Sequence, residues 1–303
     1  MKLPFFIVQL WRGLKVIFGL SKYHHKILIN GFNEETLYPL DLTDKLRFSY
    51  YEVENVPKVR LTDGAIISFP IQQAQIALAH WDCYIKHKDE TAIKKFVVIS
   101  EALISQIDNQ GKIDTWSRIR PGSSKYSSMT QSLVASVMLR YELLFLKKKP
   151  TQTEKLMNAL VLDACFKNPL NGGLEEIPES PNPCVLNGWI YSLFIFFEYE
   201  QIYSSAKTYK AFLSDQLSLL EKVLPSYLTP FGTYYDLGPN YASPFYHDLH
   251  IKQFILLNEV TNNRFDSFHS ELIKRNRFYC KAFMIFTKGL QKLREPIFNE
   301  IQG

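Results

Sequence analysis

The sequence predicts a mainly α protein, an α/α toroid of helical hairpins with a small β-containing N-terminal segment. Helical periodicity begins at Pro70 and continues almost to the end of the chain. The predicted helices are about 15 to 20 residues long and follow one another in pairs, as in stacked helical hairpins. With 303 residues, of which 46% are hydrophobic, the chain can bury one large core.

The first 22 residues are predicted to form an amphipathic helix, in which Leu10 and Trp11 accompany the cations Arg12 and Lys15. Its uninterrupted apolar run is too short to span a bilayer, and no small-residue cleavage site marks a secretory signal. Two interpretations stay open. The helix either lies in the membrane interface, with residues 1–20 as a peripheral membrane contact, or docks on the body of the protein.

Residues 23–64 form the predicted β-containing lead-in. Within it, residues 46–53 (LRFSYYEV) are rich in β-forming side chains, which predicts a strand or a hairpin. Residues 65–303 form the predicted toroid. Its eight helices are expected over residues 71–87, 90–107, 127–145, from 151 onward, 185–203, 208–223, from 247 onward, and 265–290. The fourth helix opens on residues 151–154 (TQTE), which have the pattern of a capping box.

Composition and motifs exclude several functional classes. The formal charge of +5, from 35 basic and 30 acidic side chains, fits an anionic partner but is too small for a nucleic-acid-binding protein. Rossmann, P-loop, nucleophile-elbow and zinc-helix patterns are absent from the sequence. The four cysteines lie far apart without metal-ligand spacing, so we expect reduced thiols and no metal site.

Unusual residues concentrate in three predicted loops. Residues 118–131 (RIRPGSSKYSSMTQ) place cations and hydroxyls before a helix N-terminus, where anions bind readily. Residues 172–188 (GGLEEIPESPNPCVLNG) hold Glu175 and Glu176 in a constrained turn. Residues 232–250 (GTYYDLGPNYASPFYHDLH) combine five tyrosines or phenylalanines with two histidines and two aspartates. Such polar-tipped aromatic side chains suit a sugar-binding cleft.

Segments of these loops and the adjoining helices resemble the C-terminal domain of D-glucuronyl C5-epimerases. Those enzymes make heparan sulfate and heparin in animals, and their bacterial relatives act in polysaccharide biosynthesis. The similar segments are residues 126–131 (YSSMTQ), 183–193 (PCVLNGWIYSL), 224–227 (LPSY), 232–237 (GTYYDL), 239–242 (PNYA) and 246–253 (YHDLHIKQ). The resemblance covers about residues 65–290 and implies an α/α toroid whose β-rich N-terminal part is reduced in this chain.

The resemblance implies a uronic acid C5-epimerase of the D-glucuronate to L-iduronate type, with Glu176, Tyr235 and Tyr246 as catalytic residues. The sequence departs from the family pattern in three places. A family tyrosine is replaced by Ile177, a stretch with an Arg-His pair is reduced to Gly238, and a family arginine is replaced by Ser243. The loss of the tyrosine removes a minor catalytic helper, and the other two departures indicate altered recognition of the acid group or its sulfate-like decoration.

An enzyme of this kind removes the hydrogen next to a carboxylate and returns it to the opposite face of the ring. We expect Glu176 and Tyr246 to face each other across the ring, with Tyr235 sharing proton transfer. Positive charge is needed to bind the carboxylate and to lower the pKa of a phenol, and is expected from Arg120, Lys125, His247 or His250. The chemistry needs no redox cofactor. The predicted substrate-binding residues are Arg120, Lys125, Tyr126, Gln131, Asn187, Tyr191, Asn240, His247 and His250.

Two other functions stay open at this point. A polysaccharide lyase would share the first proton abstraction and then expel the group at carbon 4, leaving an ultraviolet-absorbing double bond. An inactive uronan-binding protein would fit the missing tyrosine at position 177 and the shortened loop. In every case the expected partner is an anionic glycan that contains uronic acid. We do not expect a nucleic acid as partner. We expect a cytoplasmic protein, at the inner face of a membrane if its first helix lies in the interface, and the family resemblance implies a homodimer.

Overall fold

The computed structural model describes residues 11, 15, 27–32, 35–47, 51–61, 63–120, 125–145, 150–177, 184–203, 209–238, 240–292 and 301–302. Of the predicted first helix only Trp11 and Lys15 are among them, so the prediction for residues 1–22 falls outside the described residues. No described helix has both the length and the apolar character needed to cross a bilayer.

The described part of the chain is mainly helical. It contains α1 (Pro70–His87), α2 (Glu90–Ile104), α3 (Ser128–Leu144), α4 (Thr151–Leu162), α5 (Leu186–Ile202), α6 (Lys210–Val223), α7 (Pro244–Val260), α8 (Asp266–Lys274) and α9 (Phe278–Lys292). The first seven predicted helices are therefore present. The single helix predicted over residues 265–290 is wrong, because this stretch forms both α8 and α9.

The break between α8 and α9 has a backbone cause. The amides of Arg275 and Asn276 donate to the carbonyls of Leu272 and Ile273 at 3.1 and 3.0 Å. This three-residue spacing tightens the last turn and ends a helix. The Arg275 guanidinium also donates to the Thr229 carbonyl at 2.7 Å, which fixes the turn against the strand region.

The helices form an inner and an outer layer. In the inner layer α1, α3, α5 and α7 contact one another in chain order, while α2 packs against α1 and α4 against α3. Residues on all faces of α3 and α5 are buried, as expected for helices surrounded by protein. The alternation of inner and outer helices is that of stacked hairpins. Closure of this arc into a complete toroid stays a prediction.

Short strands accompany the helices. In the lead-in, β1 (Leu28–Ile29) pairs with β2 (Leu40–Asp41), and β3 (Tyr51–Val53) pairs with β4 (Val56–Leu61). β4 also pairs with β5 (Ile66–Ile67) and β8 (Ile301–Gln302), which lie outside the lead-in. All these pairings are antiparallel. A separate pair, β6 (Leu228–Thr229) and β7 (Gly232–Thr233), precedes α7. Of residues 46–53, predicted as a strand or a hairpin, residues 51–53 form β3 in a hairpin with β4, whereas Leu46 and Arg47 belong to the 3₁₀ helix Thr43–Arg47.

The start of α4 is capped by tertiary structure. Pro150 occupies the capping position and provides no side-chain bond, so the predicted capping box over residues 151–154 is wrong. The Glu142 carboxylate accepts instead from the amides of Gln152 and Thr153 at 2.9 and 3.1 Å. A carboxylate at a helix N-terminus satisfies unpaired amides and complements the helix dipole.

A buried ion pair connects the inner helices to the lead-in. Arg140 on α3 donates to the Glu198 carboxylate on α5 at 2.5 Å, and their side chains are 2% and 5% exposed. Arg140 also donates to the Thr36 carbonyl at 2.9 Å. Nearby, the buried Asp82 carboxylate accepts from the Tyr38 amide at 3.0 Å and the Asn30 side chain at 2.9 Å. The lead-in is thus held by charged groups inside the helical layer.

Removing one member of this pair should be strongly destabilising. Arg140→Met leaves Glu198 buried without its cation, and we expect the free energy of unfolding to fall by about 3–5 kcal/mol in urea denaturation. The double variant Arg140→Met/Glu198→Leu should recover much of that loss. Lys274→Met is the matched control, because its pair with Glu271 is exposed to solvent and contributes little to stability. Equal losses in the Arg140 and Lys274 variants would contradict this account.

Candidate active site

Glu175 anchors the loop that leads into α5. Its fully buried carboxylate accepts from the amides of Cys184, Ile177 at 3.3 Å and Val185 at 3.5 Å. Its own amide donates to the Phe166 carbonyl at 2.9 Å. Although burial raises the pKa of Glu175, these amides oppose the shift by stabilising the carboxylate. The first glutamate of the pair therefore holds the chain in place.

Glu176 points away from these amides and lies against α5. A Cβ atom on Gly188 would come within 2.9 Å of Oε2 of Glu176, so only glycine leaves room for this carboxyl group. Trp116 donates to the backbone carbonyl of Glu176 at 2.9 Å. Glycine is a weak helix former, so its presence inside α5 requires a reason. Its close approach to Glu176 supplies the reason.

Burial sets the acidity of Glu176. The residue is 8% exposed, and its Oε2 has no hydrogen-bond partner among the described residues. Burial, followed by the charge of Glu175, raises the pKa of Glu176 from its usual 4.5 to about 7, and Arg120 partly opposes the rise. A carboxyl group in this environment exchanges its proton near neutral pH.

Two tyrosines lie beside Glu176. The rings of Tyr235 and Tyr246 are 4.8 Å apart at an angle of 64°, and their side chains are hydrogen-bonded. Tyr235 follows β7 and is held by the bond from its amide to the Asn240 carbonyl at 2.6 Å. Tyr246 lies in the first turn of α7, where the Ser243 hydroxyl accepts from its amide at 3.4 Å.

The two phenols differ in acidity. Burial and the charge of Glu176 raise the pKa of Tyr246 to about 12, while the bond from Tyr235 lowers it. The pKa of Tyr235 is raised well above its usual value, also first by burial and then by Glu176. Tyr246 is therefore the more readily ionised phenol, and both respond to the same carboxylate. The structure thus brings together the three residues that the resemblance assigns to catalysis.

Side chains of α5 and α7 continue the site. Tyr191 is 2% exposed, and the charge of Tyr246 contributes, after burial, to raising its pKa. One helical turn earlier, the Asn187 carbonyl accepts from the Gln253 side chain at 3.0 Å. Oδ1 of Asn187 and Oε1 of Gln253 are buried without a partner among the described residues. Such unsatisfied polar atoms mark a place where a ligand or water can bind.

Thr233 on β7 connects two buried histidines. Its hydroxyl oxygen lies 3.2 Å from Nδ1 of His247 and 3.1 Å from Nδ1 of His250. Nε2 of His247 lies 3.2 Å from the Leu272 carbonyl and must donate, because a carbonyl only accepts. In neutral rings, His250 therefore donates to Thr233, and Thr233 donates to His247. Nε2 of His250 is left as a lone pair with no partner among the described residues.

These histidines carry no positive charge at neutral pH. Burial lowers the pKa of His247 to about 4 and that of His250 to about 3. The expectation that they supply positive charge to the phenols is therefore wrong. Their predicted contact with substrate stays a prediction, in which the free lone pair of His250 would accept a hydroxyl proton.

Of the remaining predicted substrate-binding residues, Arg120 and Asn240 interact with residues of the site, whereas Lys125 faces solvent and Tyr126 and Gln131 are engaged in packing. Arg120 stacks over Trp116 at 5.4 Å and acts on Glu176, so it lies at the site. Asn240 positions Tyr235 and donates to Asp236 at 2.8 Å. Lys125 has an exposed side chain.

Tyr126 and Gln131 are engaged in packing. The Tyr126 ring lies 4.9 Å from Nζ of Lys112 and 5.8 Å from the Phe166 ring. The Gln131 side chain donates to the carbonyls of Gly111 and Leu156, the latter at 3.1 Å. Their role in binding stays a prediction that the geometry does not support.

The four cysteines are free thiols, and none belongs to a metal cluster among the described residues. Within the described ranges, no group of three or more His, Cys, Asp or Glu side chains is arranged to hold a metal ion. Cys184 and Cys280 are buried free thiols, and Cys83 and Cys165 are partly buried free thiols.

Glu176 should make stability depend on pH. Because its folded pKa is raised, the folded protein holds one more proton than the unfolded chain between pH 4.5 and about 7. Stability is then lost as the pH rises through this window, by roughly 3 kcal/mol in total. Urea denaturation at a series of pH values should show this fall in the wild type and a flatter profile in Glu176→Gln. Parallel profiles would contradict the raised pKa.

Because the Thr233 hydroxyl is hydrogen-bonded to both His247 and His250, removing it should destabilise the protein. Thr233→Val leaves a buried donor and a buried acceptor without partners, and should lower the free energy of unfolding by about 1–3 kcal/mol. The ¹⁵N shifts of the two imidazoles should change as their tautomers lose definition. Thr229→Val is the matched control, since among the described residues that hydroxyl accepts one long bond, from the Phe231 amide at 3.3 Å. If the two variants behave alike, the hydroxyl does not connect the histidines.

The site lies within a segment that matches a known protein family. Residues 116–277, more than half of the chain, match the family described as the D-glucuronyl C5-epimerase C-terminus. The matched range is narrower than the resemblance over residues 65–290, but it includes Glu176, Tyr235 and Tyr246. The chain therefore belongs to the family of the D-glucuronyl C5-epimerase C-terminal domain.

Proposed function

We propose that this protein epimerises uronic acid residues at carbon 5, converting D-glucuronate to L-iduronate or the reverse, within an anionic glycan of the heparosan type. The observation that carries the proposal is the shared environment of Glu176, Tyr235 and Tyr246. A carboxyl group and two bonded phenols, all desolvated and coupled by charge, can give and take protons at one carbon atom.

The reaction needs a base on one face of the sugar ring and an acid on the other. Glu176 has a pKa of about 7, so both its protonated and ionised forms are present near neutral pH. Tyr246 is the more acidic phenol and becomes the second proton carrier, stabilised as an anion by the hydrogen bond from Tyr235. When one group removes the carbon-5 hydrogen as a proton, the other delivers a proton to the opposite face.

The negative charge that develops next to the carboxylate must be stabilised. Arg120 is the cation that acts on Glu176, and it would favour the ionised form when Glu176 serves as base. The side chains of Tyr191 and Asn187 would bind the hydroxyl groups of the sugar ring.

A lyase would use the same first step and differ only in the fate of the carbanion. A glycan product with a new ultraviolet-absorbing double bond would select that reaction over epimerisation. A uronan-binding protein without activity would bind the glycan and leave the carbon-5 hydrogen in place.

The decisive experiment follows hydrogen exchange. Incubation of uronic-acid glycans in heavy water with the wild-type protein should introduce deuterium at carbon 5, detected by NMR. Glu176→Gln and Tyr246→Phe should each lower the exchange rate at least about a hundredfold, since each removes a proton carrier. Tyr279→Phe is the control, because this phenol is 56% exposed on α9, and its exchange rate should match the wild type.

Two results would refute the assignment. One is the absence of exchange with every uronate glycan tested. The other is exchange at wild-type rates in both the Glu176 and Tyr246 variants while the protein stays folded.

A further inference from the structure

A lysine outside the family match faces the tyrosine side of the site. Lys288 lies on α9, and its Nζ is 5.7 Å from the centroid of the Tyr235 ring. The same charge acts on Asp236, the next residue in the chain. The matched family range ends at residue 277, before α9 begins. Nothing in the loop motifs marked Lys288 as a site residue, because it lies more than fifty positions from Tyr235 in the sequence.

The position of Lys288 is fixed by the docking of α9. Gln291 donates from its side chain to Oδ1 of Asn240, the residue whose carbonyl holds Tyr235. Met284 packs so closely on β7 that a Cβ atom at Gly232 would come within 2.6 Å of its sulfur. Lys288 itself donates to Oε1 of Gln291 at 3.3 Å. One face of α9 is therefore held against the segment that carries Tyr235.

The other cationic side chains expected at the site do not cover this side. Arg120 acts on Glu176 and stacks over Trp116. Both histidines are neutral at neutral pH. Lys125 has an exposed side chain.

A uronate carboxylate is bonded to carbon 5, so it must lie close to the groups that exchange the carbon-5 hydrogen. We propose that Lys288 binds this carboxylate from the tyrosine side of the site. Its ammonium group neutralises the acid and so favours loss of the neighbouring hydrogen as a proton. The inference rests on the proposed function, since it assigns the recognition of the acid group in the same site.

The test compares binding of two ligands that differ only in the acid. Calorimetry measures the dissociation constants of a uronate oligosaccharide and of its carboxyl-reduced analogue. The wild type should prefer the uronate, and Lys288→Met should weaken uronate binding about tenfold to a hundredfold, as for loss of a charge-assisted hydrogen bond. Binding of the reduced analogue should be unchanged. Lys288→Arg should restore most of the preference, and Lys274→Met, an exposed surface lysine, should match the wild type.

The result separates this inference from the proposed reaction. If the wild type shows no carbon-5 exchange but Lys288→Met loses the preference for the uronate, the proposed function fails while binding of the acid group by Lys288 stands. If Lys288→Met keeps the full preference for the uronate, or if the wild type does not distinguish the two ligands, the role of Lys288 is refuted. Where exchange occurs, KM should rise in Lys288→Met more than kcat falls. Thermal unfolding of each variant confirms that the fold is retained.

Discussion

The geometry of the site depends on how one buried carboxylate is satisfied. An ionised carboxyl group in a protein interior is costly unless it is hydrogen-bonded, and Glu175 meets this requirement with backbone amides on both sides of residues 178–183. Its carbonyl accepts from the Ser128 amide at 3.0 Å, which ties the loop to the start of α3. With Glu175 held in this way, the next side chain, Glu176, is directed to the opposite side, against Gly188.

A row of polar contacts connects this region to the far end of the helical layer. Small hydroxyl residues recur every four positions along α3 and face α5, where Ser128 bonds to Ser192 at 2.8 Å and Ser132 to the Tyr191 carbonyl at 2.9 Å. The row ends at Arg140 and its pair with Glu198. Hydroxyls of this size let two helices approach closely while satisfying the buried polar atoms between them. The lead-in and the site are therefore parts of one bonded interior.

Much of the fold could be predicted because it depends on local pattern. Apolar side chains at helical spacing identified α1 to α7, and the motif around Glu176, Tyr235 and Tyr246 could be recognised within short segments. What failed depends on distant partners. The cap of α4 comes from Glu142 on another helix. The break before α9 comes from backbone hydrogen bonds, and no proline or glycine in the sequence indicates it. The neutral state of His247 and His250 follows from burial, which no spacing reveals.

The acidity of Glu176 bears on the direction in which the proposed enzyme can start. With a pKa of about 7, the protonated and the ionised carboxyl group are both present in a neutral medium. One isomer needs a base on that face and the other needs an acid. The isomer that needs a base meets the ionised carboxylate directly, whereas the isomer that needs an acid also requires Tyr246 to lose its proton, and the pKa of about 12 makes that the costlier start.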